Sequence, residues 1–198
     1  MLNNLYLMKK KKFTRLYKVL ITFLFEFIYG KIKSVENGNK YKQSIRLDRS
    51  NKLYHIYNLK NSRLYTDTIH DTAFIKSNKI IDGPSFQIRN LVNSSVKKNK
   101  VLSFNTPRFK KKLSGFTLSI LTGGAGNNNY WHWMYDVLPR LAIVQKKYNF
   151  NKIDNFLVPY LKYNFHIETL KLLYIYKKSF QRIKYRHIES EILLTTNH

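Results

Sequence analysis

The chain has 198 residues, with 36 lysines and arginines against 11 acids, giving a formal net charge of +25. Hydrophobic residues at 43% and aromatic residues at 15% exclude a disordered chain. The absence of cysteine excludes a disulfide framework and a thiolate metal site, and fits a reducing compartment.

This length supports one domain, or one domain with an N-terminal extension. The first 35 residues read as a basic, amphipathic N-terminal helix. Lys9 to Lys12 precede the apolar stretch Phe13 to Tyr29, in which Arg15, Lys18, Thr22 and Glu26 recur at i, i+3, i+7 and i+11. That spacing makes one narrow polar stripe on a helix. The patch falls short of the ~20 clean apolar residues of a spanning helix, and no small-residue cleavage site follows it. Three placements stay open. The first is a helix lying peripherally on the cytoplasmic face of a membrane, where lysines beside an apolar face suit anionic lipid. The others are a helix packed on the domain or on a further domain, and a signal anchor.

Glu36 to Gln43 is polar with a glycine and reads as a linker. Residues 44–112 read as a β-rich subdomain of short antiparallel strands, at Leu53–Tyr57, Arg63–Tyr65, Ala73–Ile75, Lys79–Ile81 and Phe86–Ile88, with a further strand at Val101–Phe104. Asp82-Gly83-Pro84-Ser85 is a turn between two of them. His55 and His70 lie here without metal-ligand spacing. From residue 113 to 198 strands and helices alternate: an apolar strand Phe116–Leu121, a glycine-rich turn, a helix from Asn128 or Asn129, a strand Ile153–Val158, a helix Phe165–Tyr176 and a strand Glu191–Thr195. This is the α/β pattern of a Rossmann-like unit.

The chemistry is concentrated between Gly123 and Leu141 (GGAGNNNYWHWMYDVLPRL). On a helix, His132, Asp136 and Arg140 at i, i+4 and i+8 share one face, and both tryptophans of the chain, Trp131 and Trp133, flank the histidine. Read blandly, Asp136–Arg140 is an ordinary helix pair and the tryptophans are core. Against this, Pro139 falls within the same helix, where proline costs ~3 kcal/mol without compensation. Local rules broken together mark functional segments. The turn Gly123-Gly124-Ala125-Gly126 offers backbone N–H groups to an anion at the helix start. His132 and Asp136 give two ligands at most, so no metal is expected.

The run Asn129-Tyr130-Trp131-His132-Trp133-Met134-Tyr135-Asp136-Val137-Leu138-Pro139-Arg140-Leu141 resembles the Asn-Tyr-(aromatic)-His-Trp-x-x-Asp-x-Leu-Pro-Arg-Leu signature of glycosyltransferase family 61. That family includes capsular polysaccharide enzymes of bacteria and xylosyl- and N-acetylglucosaminyltransferases of eukaryotes. The likeness covers about Asn58 to the end of the chain, weakly before Gly115. It implies an N-terminal Rossmann-like domain of a two-domain, GT-B-like enzyme that transfers a sugar, with inversion, from a nucleotide donor to a glycan acceptor in surface polysaccharide synthesis. It also implies a further C-terminal half carrying a His-Gly-Ala-Gly-like turn for the donor. No His-Gly-Ala run occurs in this sequence, so the chain is expected to be the acceptor-side part, with a C-terminal domain or partner chain supplying the rest.

Within that likeness His132 is the expected base and Asp136 its orienting partner, the reverse assignment staying open. Asn129, Tyr130, Trp131, Trp133, Arg140, Gly123 and Gly124 are the expected substrate contacts, with no metal and no cofactor beyond the nucleotide-sugar substrate. The short, scattered lysine runs carry no zinc-finger, RNA-recognition or phosphate-loop motif and do not point to nucleic acid. A basic, membrane-associated accessory domain without catalysis, or an inactive gene fragment, is the competing account.

Overall fold

The structure, a computed structural model, describes residues 2–47, 52–66, 70–89, 92–93, 95–104, 108–122, 128–181 and 185–197. Leu2–Tyr29 form one helix, α1, which ends at Gly30, where φ is +78°. Of its described side chains only Phe25 is buried. Phe25 packs on Tyr29 and Phe109, and the Tyr29 ring stands edge-on to His187 at 5.1 Å. The Tyr29 hydroxyl accepts the Lys110 N–H at 3.0 Å. Phe13, Leu16, Tyr17, Val19, Leu20, Phe23, Leu24, Phe27 and Ile28 are all exposed. Among the described residues no helix is long and apolar enough to cross a membrane.

The stretch expected as a linker is ordered instead. Ser34–Asn37 form β1, Gly38–Tyr41 a 3-10 turn and Lys42–Arg46 β2. Glu36 explains the difference: its carboxylate takes the Lys40 ammonium at 2.5 Å, the Lys79 ammonium at 3.6 Å and the Tyr41 hydroxyl at 3.1 Å. Lys40 and Tyr41 close the polar stretch on itself, and Lys79 ties it to a later part of the chain. The lysine hydrogen bond leads in holding the Glu36 carboxyl below its ordinary pKa.

The pieces expected at Leu53–Tyr57 and Arg63–Tyr65 are one strand, β3 (Leu53–Thr66). It passes through Asn61, at φ +46°, a conformation asparagine tolerates better than most residues. Asp71–Lys76 (β4), Lys79–Asp82 (β5) and Phe86–Arg89 (β6) follow as antiparallel neighbours, with Val92–Asn93 (β7) on β6. The strand expected at Val101–Phe104 is a short helix, α2 (Lys100–Phe104). Asn99 starts it: its side-chain oxygen accepts the Val101 N–H at 3.1 Å while its amide donates to the Thr72 and Phe86 carbonyls. A side-chain cap thus outweighs β-propensity.

The second half alternates strand and helix. It runs β8 (Lys111–Ser119), α3 (Tyr130–His132), a π-helical turn (Trp133–Val137), α4 (Leu138–Gln145), β9 (Asn155–Val158), α5 (Asn164–Leu172), β10 (Ser179–Gln181) and β11 (His187–Thr196). β8 is parallel to both β9 and β11, and β9 to β10, while β11 is antiparallel to β3. The resulting α/β sheet has the order β1-β5-β4-β3-β11-β8-β9-β10, with β2 on β3. The position between residues 112 and 113 lies inside β8, and the sheet runs through it. Alternation along the strands divides the core. Leu118, Phe156 and Leu194 face Trp133, Val137, Leu141 and Leu170 of the helical layer. Leu157 and Leu193 face the opposite side with Tyr57, Leu59 and Phe74.

Candidate functional site

Asn129 opens the segment as an N-cap, its side-chain oxygen accepting the Trp131 N–H at 2.9 Å. This satisfies one of the orphan donors at a helix start. After one turn of α3 the backbone widens: the Leu138 N–H reaches the Trp133 carbonyl, five residues back. Pro139 then sits in the first turn of α4, where its missing N–H costs nothing. The proline that breaks the helical pattern in the sequence is therefore accommodated by a π-helical turn, a feature frequent at functional sites.

The widened turn leaves His132 and Asp136 on the outer face. His132 Nδ1 and Asp136 Oδ2 are 2.6 Å apart, with the side chains 46% and 38% exposed. A neutral imidazole donating Nδ1–H to the carboxylate presents Nε2 as its acceptor, and among the described residues Nε2 has no partner. Beside the pair, the exposed rings of Trp131 and Tyr135 lie face to face, 4.2 Å between centroids and tilted by 31°. Tyr130, also exposed, meets the Phe165 ring edge-on. The structure thus gathers a His–carboxylate pair and an open aromatic platform on one stretch of chain. Tyr135 is the member missed in the sequence, although its i, i+4 spacing from Trp131 was visible there.

Two expected contacts turn inward. Trp133 is fully buried, its indole N–H donating to Thr169 Oγ1 at 2.9 Å and its ring 4.5 Å from the buried His166. The His166 ring accepts the Lys162 and Tyr163 N–H groups at the head of α5. Trp133 is a core bolt between the π-turn and α5, not a surface for a sugar. Arg140 is 4% exposed. Its Nε donates to the Asp136 carbonyl at 3.2 Å and its Nη1 to the Thr196 carbonyl at 3.0 Å. It pairs with the backbone of Asp136 rather than the carboxylate, which faces His132. Burial pushes the guanidinium down to about 10, opposed by the Asp136 charge. Its role is positional: it ties the π-turn to the end of β11. Gly123 and Gly124, with Ala125 and Gly126, lie outside the described residues.

The sheet gives this location meaning. From β8 the chain moves outward to β9 and β10, whereas β11 lies on the other side of β8. Strand order reverses between β8 and β11, and in open α/β sheets ligands sit outside the carboxyl ends of strands at such a reversal. The segment carrying His132 follows the carboxyl end of β8, and Arg140 fastens it to the carboxyl end of β11. Among the described residues no group of three or more His, Asp or Glu side chains is placed to hold a metal ion. His55 instead takes the Ser44 hydroxyl at 3.1 Å across the β2–β3 ladder.

Comparison of the chain with protein-family models, curated proteins and solved structures finds no match.

Proposed function

We propose that this chain is the acceptor-side, Rossmann-like part of an inverting, nucleotide-sugar-dependent glycosyltransferase of GT-B-like design, acting in surface polysaccharide synthesis. The observation that carries the reading is the 2.6 Å contact between His132 and Asp136, exposed beside the Trp131–Tyr135 rings. In a single displacement the acceptor hydroxyl gives its proton to His132 Nε2 as its oxygen bonds to the anomeric carbon. The bond from that carbon to the donor diphosphate breaks, and the nucleoside diphosphate leaves with the electron pair. Asp136 holds the imidazole in the tautomer that accepts at Nε2 and offsets the positive charge that forms, as in other His–Asp pairs. The Trp131 and Tyr135 rings are placed to stack on a sugar face. The diphosphate is held by a C-terminal half or partner chain.

The test is transfer from a panel of nucleotide sugars to oligosaccharide acceptors, read by mass spectrometry, with the downstream half supplied in the same chain or in trans. His132→Ala is expected to lower turnover by about 10²- to 10⁴-fold with a melting curve close to that of the wild type, since the side chain is 46% exposed. Trp131→Ala is expected to raise the acceptor KM more than it lowers kcat. Full turnover in His132→Ala would remove the histidine as base. Absence of both transfer and saccharide binding would remove the reading.

A further inference from the structure

The apolar side of α1 is used neither by the core nor by the candidate site. At 3.6 residues per turn, Phe13, Leu16, Leu20, Phe23 and Phe27 fall within an arc of roughly 80°. Their exposures are 73%, 59%, 60%, 71% and 83%. Phe25 and Tyr29, the two rings by which the domain grips α1, point to the opposite side of the helix. The domain holds the polar flank and turns the apolar arc outward, and a contiguous exposed patch of this kind marks an interaction surface.

Charge decides the partner. α1 carries six basic residues, Lys9 to Lys12, Arg15 and Lys18, against one acid, Glu26. Glu26 itself faces Lys31 at 3.7 Å. A second copy of this chain would set a second helix of the same net positive charge beside the first. An anionic bilayer supplies both complements, phosphates for the lysines and an acyl boundary for the aromatic arc. We propose that α1 is an interfacial anchor, lying in the plane of an anionic membrane with its Phe/Leu arc inserted below the headgroups. The anchor joins the domain at the amino end of β11, where Tyr29 meets His187, whereas Arg140 binds Thr196 at the carboxyl end. That is roughly 30 Å away along the strand, so an anchored domain keeps the His132 face open. This inference stands on α1 alone and does not depend on the proposed transfer reaction.

The experiment is flotation of the full chain with phosphatidylcholine vesicles, with and without phosphatidylglycerol, at low and high salt. Binding is expected on the anionic vesicles, at least about tenfold weaker on the neutral ones, and weaker at high salt. The double variant Phe23→Glu/Phe27→Glu is expected to lose at least about tenfold in binding with its thermal transition unchanged. In Phe27→Trp, which keeps the arc intact, the added emission is expected to be quenched by brominated acyl chains. Equal binding to neutral vesicles, or no quenching in Phe27→Trp, would overturn the proposal. So would concentration-dependent self-association, without lipid binding, that the double glutamate variant abolishes; the arc would then be covered by a second copy.

Discussion

His187 shows how a single buried side chain reaches the solution behaviour of the whole protein. It is 1% exposed, and its Nδ1–H donates to the Arg108 carbonyl at 2.7 Å. Its Nε2 has no partner among the described residues, while the Tyr29 and Tyr65 rings stand edge-on to it. Desolvation, opposed by the Arg108 bond and aided by the nearby Arg63 and Lys110 charges, lowers its pKa from 6.5 to about 4. Between those values the unfolded chain binds a proton that the folded chain refuses. Stability contributed by neutral His187 is therefore complete above 6.5 and is lost as pH falls towards 4, in total about 3 kcal/mol. Carboxylates are still ionised between about pH 6.5 and pH 5, so histidines set the slope there. His187 contributes up to about 1.4 kcal/mol per pH unit, and His55, whose pKa desolvation also lowers, adds in the same direction. Urea unfolding at several pH values should show that slope in the wild type and lose most of it in His187→Gln. An unchanged slope in the variant would mean that the proton is taken up elsewhere.

At the scale of elements, Gly115 is a case where backbone decides. It lies in β8 with φ +70°, and a Cβ there would collide with the Asp154 carboxylate. That carboxylate accepts the Phe116 N–H at 2.8 Å and so ties β8 to the approach of β9. Gly115→Ala is expected to cost about 2 kcal/mol, from left-handed strain plus the displaced carboxylate. Chemical denaturation would read this as a lower midpoint with an unchanged m-value; a neutral result would show that the strand relaxes freely. The same element illustrates what the sequence made legible. The apolar run Phe116–Leu121, the helix beginning at Asn129 and the strand before Val158 were readable, because period and caps are local. The union of Leu53–Tyr57 with Arg63–Tyr65 was not, because β3 is held open by β11, far along the chain. Only part of the Glu36 and Asn99 networks escaped for this reason: Lys79, Thr72 and Phe86 are brought close by the sheet, whereas Lys40, Tyr41 and Val101 are near neighbours in sequence. In the site, the i, i+4 spacing of His132 and Asp136 was legible. The inward turn of Arg140 was not, since the π-turn Trp133–Val137 shifts every side chain after it around the helix axis; the burial of Trp133 is the core placement that its apolar ring already allowed.

For the whole molecule, charge and topology meet. Eleven acids can neutralise at most eleven of 36 bases, which leaves a +25 excess on a fold built around one sheet and the helix α1. β11 lies between β3 and β8 and binds the two halves of the chain into that sheet, so unfolding is expected as one transition. Like charges brought together by folding repel, and raising NaCl from about 0.05 M to about 0.5 M shortens the screening length from roughly 14 Å to roughly 4 Å. The urea midpoint is therefore expected to rise with salt at constant m-value. A fall would mean that attractive pairs such as Lys40–Glu36 outweigh the repulsion. Two transitions would mean that the sheet does not unfold as a unit. Attraction between α1 and an anionic bilayer runs the other way, because salt screens a favourable contact there. One titration thus separates the two uses of the same positive charge: it should strengthen the fold while it weakens the anchor, and a shared sign would show that one of the two assignments is mistaken.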